Sequence, residues 1–340
     1  MSHVLVTGAG GYIGSVLVGV LLDRGHDVTG LDRFFFGEEA LSDFRKRAGL
    51  RLLKKDVRDV VDDDLDGVDA ICDLAALSND PSGDLDPELT RAVNLRARAN
   101  LAATASRSGV RRYILSSSCS VYGHAGREEV SEATSPAPLS VYAECNARAE
   151  EAVLAAGAHG LSVTVLRNPT VFGLSPRMRF DLVLNLMTLQ AVRQGRIFVT
   201  GGGLQWRPLA HVRDIARTFA SILEAPVGSV AGQVFNVAAD NLQVRTLAYM
   251  VRENLPFPLQ VEIVPDDRDK RDYRVSSRKI REIVDLPQRF TVADGVREIY
   301  EALKGGLLDD GPQTSTVQWY RTIMDAKRLV DRVELNGRLL

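Results

Sequence analysis

Three regularly spaced glycines, Gly8, Gly11 and Gly14, stand near the start of the chain. An apolar stretch at residues 4–7, typical of a short buried strand, precedes them, and a helical pattern covers residues 12–24. A strand that enters a helix through a turn without side chains directs backbone N–H groups and the helix N-terminus at a pyrophosphate. Glycine turns also merely end strands, and this G-x-x-G-x-x-G spacing differs from the more familiar G-x-G-x-x-G. The motif therefore predicts dinucleotide binding only with support from its context.

That context is an acidic residue at the end of the next strand. Asp32 ends a predicted strand at residues 27–31, where a carboxylate accepts hydrogen bonds from an adenosine ribose and repels a 2′-phosphate. This favours NAD over NADP. Arg33 argues weakly for NADP, but a solvated loop cation is the simpler interpretation. Asp56, after a strand at 51–54, either approaches the adenine amino group or caps a helix.

The first half of the chain alternates strands and helices. Short apolar strands separated by helical patterns predict an α/β fold, a doubly wound, Rossmann-like parallel sheet covered on both faces. The predicted strands are 4–7, 27–31, 51–54, 70–74, 113–116 and 162–166, and the predicted helices are 12–24, 38–48, 86–108 and 140–158.

In such a sheet, ligands collect beyond the carboxyl ends of the strands. The glycine turn follows the first strand and Asp32 the second, and small or hydroxyl side chains follow two more. Ala75 and Ala76 after the fourth strand leave room for a flat cofactor, although two alanines at a strand end are also common where the chain simply packs closely. A serine run, 116–118, follows the fifth strand.

The second half is less regular and predicts a smaller mixed lobe that binds substrate. We predict an NAD-binding domain over residues 1–170, to which the chain returns at about 205–240, and a lobe with C-terminal helices over 171–340. Its predicted helices are 178–194, 212–225, 244–254, 291–304 and 314–332, and its predicted strands are 197–199, 234–237 and 260–264. The last helix carries Trp319, Tyr320, Ile323 and Leu329 at helical spacing, which favours packing over chemistry.

Composition excludes several classes of function. The chain has 340 residues and a formal net charge of −2, which gives no footprint for nucleic acid or an anionic membrane surface. Neither a membrane-spanning run nor a signal-peptide pattern is visible. Cys72, Cys119 and Cys145 are scattered and the five histidines form no ligand pair, so we expect no metal site and a reducing cytoplasm.

Two further segments carry the most specific signal: residues 116–123, SSSCSVYG, and residues 140–146, SVYAECN. Together with the glycine turn and Asp32, they resemble the extended short-chain dehydrogenase/reductase family, and within it the nucleotide-sugar epimerases such as UDP-glucose 4-epimerase. The resemblance covers nearly the whole chain. It implies NAD as cofactor, a nucleoside-diphosphate sugar as substrate, and a homodimer paired through helices 86–108 and 140–158.

The resemblance also assigns residues to each ligand. It implies a cofactor site formed by Gly8, Gly11, Tyr12, Ile13, Gly14, Asp32, Arg33, Asp56, Val57, Leu74, Ala75, Ala76, Ser116, Tyr142, Asn146 and Pro169. It implies a substrate site formed by Ser78, Ser118, Tyr142, Asn168, Asn185, Arg207 and Arg271. Arginine suits a diphosphate because its planar fork meets two oxygens at once, although each arginine could instead make a structural salt bridge.

In the family, a serine or threonine and the tyrosine of Y-x-x-x-K flank the sugar C4 hydroxyl, and the tyrosine takes its proton. The match places these roles on Ser118 and Tyr142. A free phenol has a pKa of about 10, so it is a poor base at neutral pH until a cation favours the phenolate. The family's lysine supplies that charge and also holds the nicotinamide ribose.

At the lysine position this chain has Asn146, which can hydrogen-bond but brings no charge. No other cation lies on that helix face, since Arg148 is six residues past Tyr142. Three explanations stay open: an introduced substitution that slows turnover, a natural variant with reduced or altered chemistry, or a protein that binds without catalysis. We expect the usual reaction with compromised turnover, and Asn146→Lys to raise the rate.

The expected reaction is epimerisation at C4 through a transient 4-keto sugar. Related 4,6-dehydratases carry an acidic pair directly after the active-site serine or threonine, whereas Cys119 and Ser120 stand here, so dehydration is disfavoured. The alternatives are a ketoreductase of a nucleotide-linked deoxysugar, which consumes reduced cofactor, and a non-catalytic dinucleotide-binding regulator.

Overall fold

A computed structural model describes residues 1–265, 271–286 and 289–338. Its strands are β1 (His3–Thr7), β2 (Asp27–Asp32), β3 (Leu50–Lys54), β4 (Ala70–Asp73), β5 (Arg112–Ser118), β6 (His124–Val130), β7 (Ser162–Asn168), β8 (Thr170–Phe172), β9 (Arg196–Thr200), β10 (Trp206–His211), β11 (Gln233–Asn236), β12 (Asp240–Gln243), β13 (Gln260–Val264) and β14 (Asp272–Val275).

The helices alternate with these strands through the first half of the chain. They are α1 (Tyr12–Asp23), α2 (Asp80–Gly83), α3 (Pro87–Arg91), α4 (Arg98–Arg107), α5 (Val141–Ala156), α6 (Val183–Gln194), α7 (Val212–Glu224), α8 (Val227–Val230), α9 (Val244–Glu253), α10 (Arg278–Ile283), α11 (Val292–Lys304) and α12 (Thr316–Val333). A π-helical turn, Ala92–Ala97, joins α3 to α4.

The main sheet has seven strands in the order β11-β7-β5-β4-β1-β2-β3, and every pairing is parallel. Alternate residues of β1 serve the two faces: Val4 and Val6 pack with α1, while Leu5 packs with residues of α4 on the other face. Helices therefore cover both faces, and the predicted doubly wound α/β fold is confirmed. The strand order reverses beside β1, so a crevice opens between the ends of β1 and β4.

The remaining strands form three small sheets, β12-β10-β8, β13-β9 and β14-β6. Between them the chain revisits the main sheet, because β11 pairs with β7 and α7 packs beside α1. The division into two domains near residue 170 stays a prediction.

Two predicted helices differ from the observed ones. The segment 38–48 forms only a short 3₁₀ helix, Glu39–Phe44, which buries little more than Ala40 and Leu41. The segment 86–108 is interrupted by the π-helical turn, where Asn94 turns inward and exchanges two hydrogen bonds with the backbone of Leu77, at 2.9 and 3.0 Å. The hydrophobic pattern shows neither feature, since both depend on contacts between distant segments.

A buried ion pair fastens α5 to the sheet. The Glu150 carboxylate of α5 accepts three hydrogen bonds from the Arg167 guanidinium of β7, at 2.7–3.2 Å, and one from the Ser117 hydroxyl of β5. Both charged side chains are almost fully buried. Arg167 also donates to the Tyr122 hydroxyl at 2.8 Å. The pair therefore fixes α5 across two neighbouring strands.

We expect Glu150→Gln to lower the free energy of unfolding by about 3–5 kcal/mol, because it leaves the Arg167 charge buried without a counter-ion. Urea denaturation followed by circular dichroism measures this. The control is Glu151→Gln on the exposed face of the same helix, which should stay within about 0.5 kcal/mol of the parent chain. Equal midpoints for the two variants would contradict the role of the ion pair.

Candidate active site

A cavity of about 630 Å³ runs along the carboxyl ends of the main sheet. All but two of the residues predicted from the sequence line it. At one end lie the glycine turn, Asp32 and Asp56, in the middle Ser118 and Tyr142, and at the other end Arg207 and Arg271. The predicted residues along the wall are Tyr12, Ile13, Arg33, Val57, Leu74, Ala75, Ala76, Ser78, Ser116, Asn168 and Pro169. Asn146 and Asn185 lie behind the wall.

The backbone of the glycine turn lies so close to neighbouring backbone atoms that side chains would not fit there. Gly8 has φ +70°, and a Cβ there would stand 2.9 Å from the backbone nitrogen of Ala75. A Cβ on Gly14 would come within 2.0 Å of the Gly8 carbonyl oxygen. Helix α1 begins after Gly11 without a side-chain cap and without an acidic residue in its first turn. Its first N–H groups are thus suited to an anion, which fits a dinucleotide pyrophosphate.

Asp32 is held at the end of β2 by backbone donors. Its Oδ2 accepts from the Gly10 N–H at 2.9 Å and its Oδ1 from the Phe34 N–H at 2.7 Å. Burial raises the pKa of Asp32, and the two N–H groups oppose that shift. Each oxygen keeps a second lone pair, so the residue can accept hydrogen bonds from ribose hydroxyls.

Arg33 and Asp56 pair with each other across the same end of the cavity, with Arg33 Nη1 2.9 Å from Asp56 Oδ2. Asp56 also caps the turn Val57–Asp59 by accepting from the Arg58 N–H at 2.9 Å. The Arg58 side chain beside it lowers the pKa of Asp56 to about 2. The capping role weighed for Asp56 is therefore observed, and a contact to adenine stays a prediction.

Ser118 and Tyr142 both line the middle of the cavity. Ser118 ends β5, and Tyr142 lies in the first turn of α5, whose N-terminus Ser140 caps by accepting from the Ala143 N–H at 3.1 Å. Ser118 Oγ accepts from the Ser120 N–H at 3.1 Å. Burial and, next, the Asp80 carboxylate raise the pKa of Tyr142, while Arg98, Ser118 and Arg179 lower it.

Asn146 lies one turn further along α5 and is buried. Its amide donates to the Tyr142 carbonyl oxygen at 2.9 Å, and its Oδ1 accepts from Arg98 Nη1 at 2.8 Å. The sequence analysis searched only the helix face of Tyr142 for a cation and therefore missed Arg98, which comes from α4. A signal was available in the sequence: Arg98 shares an otherwise apolar helical stripe with Leu101, Ala102 and Ala105.

At the far end of the cavity, two arginines and a carboxylate come together. Arg207 of β10 donates to the carbonyl oxygens of Trp206, at 2.8 Å, and of Arg271. The Arg271 side chain pairs with Asp80, 2.5 Å from Nη1 to Oδ2. The Ser140 hydroxyl donates to the other oxygen of Asp80, also at 2.5 Å. Asp80, which the sequence analysis did not identify, thereby links the N-terminus of α5 to the arginine end.

Asn185 does not reach the cavity. It is fully buried, donates to the Tyr12 hydroxyl at 3.1 Å and to the Arg179 carbonyl oxygen at 2.9 Å, and accepts from the Gly173 N–H at 3.0 Å. Every polar group of this side chain is engaged within the protein. The structure thus gives Asn185 the task of fixing the segment before α6 against α1, and it does not place it beside a substrate diphosphate.

Asn168 and Ser78 do line the cavity. Asn168 donates to Ser116 Oγ at 2.9 Å, and its own Oδ1 is buried without a partner in the described part of the chain. Ser78 accepts from the Arg179 guanidinium, at 3.2 Å through its hydroxyl and at 3.3 Å through its carbonyl oxygen. Arg179 is itself held by Asp181 at 2.9 Å.

The tail helix α12 takes part in the cavity wall, which the sequence analysis did not foresee. Tyr320 and Ile323 line the cavity, and Trp319 Nε1 donates to the Phe35 carbonyl oxygen at 2.6 Å. The Tyr320 ring also packs against Phe36 at a tilt of 46°, with ring centroids 5.5 Å apart. The helical spacing of these aromatic residues was visible, but their partners in the loop after β2 were not.

Residues 1–265, 271–286 and 289–338 contain no cluster of three or more His, Cys, Asp or Glu side chains that could hold a metal ion. Over the same ranges, the helices are too short or too polar to cross a bilayer.

The arrangement can be compared with known proteins. A family model described as "NAD dependent epimerase/dehydratase family" matches residues 4–238. The chain belongs to this family. The predicted family and its cofactor, NAD, are thereby confirmed.

Individual members of the NAD dependent epimerase/dehydratase family differ in their reactions. UDP-glucose 4-epimerase of Corynebacterium glutamicum is 28% identical over 280 residues, 77% of this chain and 83% of that protein. dTDP-glucose 4,6-dehydratase of Streptomyces niveus is 28% identical over 337 residues, 94% and 93% of the two chains. The structure of MoeE5 in complex with UDP-glucose and NAD matches with a TM-score of 0.78 at 26% identity, over 90% of this chain and 100% of that one. Membership therefore implies an NAD-dependent enzyme acting on nucleotide sugars, without fixing the reaction.

We expect Asp32→Ala to weaken NAD binding by about 10- to 100-fold, because hydrogen bonds to a charged acceptor contribute about 1.5–3 kcal/mol. Isothermal titration of cofactor-free protein with NAD measures the change. Asp63→Ala, at an exposed position outside the cavity, is the matched control and should bind like the parent chain. Equal affinities for the Asp32 and Asp63 variants would contradict the ribose contact.

Proposed function

We propose that the protein is an NAD-dependent nucleotide-sugar epimerase that inverts C4 of the sugar through a transient 4-keto intermediate. The observation that carries the proposal is the Ser118–Tyr142 pair, which lies between an anion-binding glycine turn and a second, arginine-lined end of one cavity. The hydroxyl pair therefore separates a cofactor side from a substrate side, as hydride transfer between two bound molecules requires.

In this proposal Tyr142 accepts the proton of the C4 hydroxyl and Ser118 orients that hydroxyl by a hydrogen bond. NAD, held by the glycine turn and Asp32, would supply the hydride acceptor and donor for C4. The phenol gives the proton back to the same oxygen, so protons and electrons balance over the cycle. Inversion requires the keto sugar to turn over before the hydride returns to its other face, and the hinge for this movement is the diphosphate.

The arginine end suits the nucleoside diphosphate that such a substrate carries. Arg207 and Arg271 stand together there, and guanidinium groups match phosphate oxygens two at a time. Ser78 and Asn168 also line the cavity, and in this proposal they bind sugar hydroxyls.

Elimination of water is less well supported than epimerisation. Directly after Ser118, Cys119 is buried and its thiol donates to the Arg167 carbonyl oxygen at 3.2 Å, so that position offers no acid to a C6 hydroxyl. Asp80, one of the carboxylates that line the cavity, is bound by Arg271 and Ser140. A ketoreductase remains the second candidate, since the same hydroxyl pair serves reduction.

Assembly as a homodimer through the helices of 86–108 and 140–158, and a cytoplasmic location, remain part of the proposal.

The cofactor content of the purified protein and its products separate these reactions. We expect the protein to carry NAD and to convert one member of a UDP- and dTDP-sugar panel into its C4 epimer without added cofactor, detected by chromatography and proton NMR. Stoichiometric use of reduced cofactor would favour the ketoreductase, and a product lighter by one water would favour elimination. Bound NAD with no binding of any sugar nucleotide in titrations would overturn the enzyme assignment.

We expect Tyr142→Phe to lower kcat by at least about 100-fold with little change in substrate affinity, because it removes the proton acceptor and leaves the binding groups in place. Tyr249→Phe, outside the cavity, is the control and should retain full activity. A fully active Tyr142→Phe enzyme would show that another group takes the proton.

A further inference from the structure

Arg98 is the first residue of α4, and only 1% of it is exposed. It lines the wall of the cavity and reaches α5 through the 2.8 Å hydrogen bond from Nη1 to Asn146 Oδ1. Asn146 in turn donates to the Tyr142 carbonyl oxygen. A buried guanidinium is thus attached, through one amide, to the residue proposed to accept the substrate proton.

Among the described residues, the charged Arg98 side chain forms only a long ion pair, which contains no hydrogen bond. The nearest carboxylate, Asp73, stands 3.8 Å from Nε, and its two oxygens accept hydrogen bonds from the hydroxyls of Thr7 and Tyr113, each at 2.6 Å. Arg98 Nε has no hydrogen-bond partner in the part of the chain that the structure describes. In a buried setting such a charge acts over a longer distance than it would in water.

The backbone before Arg98 is shaped to bring it there. The π-helical turn Ala92–Ala97 ends directly at Arg98, and Asn94 within it is bound on both sides by the Leu77 backbone. A π-helical turn adds a residue to one helical turn and so rotates the residues after it, and such turns often occur at functional sites. This observation is independent of the contacts of the guanidinium.

We propose that Arg98 is a positioning residue for proton transfer: its guanidinium, oriented by Asn146, supplies the positive charge that stabilises the phenolate of Tyr142. Arg98 and Asn146 would then share the task of a single lysine at position 146. The inference rests on the proposed role of Tyr142. It reverses the sequence-based expectation for Asn146→Lys, because a lysine there would press a second buried cation against Arg98.

Other charged groups also shift the pKa of the Tyr142 phenol, and they provide control substitutions. Asp80 opposes ionisation of Tyr142 and Arg179 favours it. The charged groups that act on Tyr142 come from three segments: Asp80 of α2, Arg98 of α4 and Arg179 before α6. Two of them have partners of their own, since Asp73 of β4 faces Arg98 and Arg271 pairs with Asp80.

The first test needs no turnover. The ionisation of Tyr142 in the NAD-loaded protein is followed by ultraviolet absorbance of tyrosinate, as the difference between each chain and its Tyr142→Phe counterpart. We expect Arg98→Met to move this transition upward by about one pH unit or more. Arg98→Lys, which keeps the charge, should move it less, and Asp80→Asn should move it downward. An unmoved transition in a folded Arg98→Met protein, as judged by circular dichroism, would overturn the proposal.

The second test exchanges the two positions. We expect Arg98→Met to lower kcat at neutral pH by about 10-fold or more, with the loss fading at alkaline pH and KM nearly unchanged. Asn146→Lys alone should also be slow, and the double variant Arg98→Met/Asn146→Lys should recover most of the lost rate. If the kcat losses of the two single variants multiply in the double variant, Arg98 has a structural role only. The same conclusion follows if the loss caused by Arg98→Met is equal at every pH.

The outcomes distinguish this inference from the proposed function. If the parent chain turns over no sugar nucleotide, the proposed function fails, and the tyrosinate titration still tests the influence of Arg98 on the phenol. If the parent chain is active but neither the titration nor the exchange responds, the proposed function stands and the role of Arg98 fails.

Discussion

The position of α5 on the sheet is the constraint on which the catalytic geometry depends. Glu150, two turns after Tyr142, is bound at once by Ser117 of β5 and Arg167 of β7, and both of these strands run on to the edge of the cavity. A charge pair buried this deeply is costly to desolvate and is stable only when its hydrogen bonds are complete, as they are here. The helix therefore has one favourable position, and Tyr142 is set relative to Ser118 by contacts well below the cavity.

A second buried network reaches α5 from the sheet and from α4. Thr7 of β1 and Tyr113 of β5 bind the Asp73 carboxylate, Asp73 faces Arg98, and Arg98 binds Asn146. Thr7 also accepts from the N–H groups of Leu74 and Ala75, which shape the crevice beside the glycine turn. One chain of polar contacts thus joins the wall of the cofactor crevice to the helix that carries Tyr142. A substitution in this network would therefore disturb both the crevice wall and α5.

Local signals in the sequence were sufficient for the fold and for much of the cavity. The glycine turn, Asp32 and the segments around Ser118 and Tyr142 each combine a strand end with a recognisable residue pattern, and parallel strands bring their carboxyl ends to one edge. Arg98, Asp80 and Tyr320 were missed because their importance lies in partners far away along the chain: Asn146, Arg271 and Phe36. The same limit explains Asn185, whose side chain is engaged by Tyr12 and Gly173. A residue type shows what a side chain can bind, but only the packed chain shows which partner it meets.

The attachment of α12 beside the Asp32 end of the cavity has a kinetic consequence. Only Thr316 of this helix is fully buried, and the helix contacts the loop after β2 through Trp319 and Tyr320. An element with few buried contacts detaches by local opening far more often than the whole protein unfolds. We therefore expect a molecule bound beside Phe36 and Tyr320 to exchange with the surrounding solution at a rate limited by local opening of α12. Release would then depend on a helix with few buried residues, while the geometry around Tyr142 depends on the deeply buried contacts of α5.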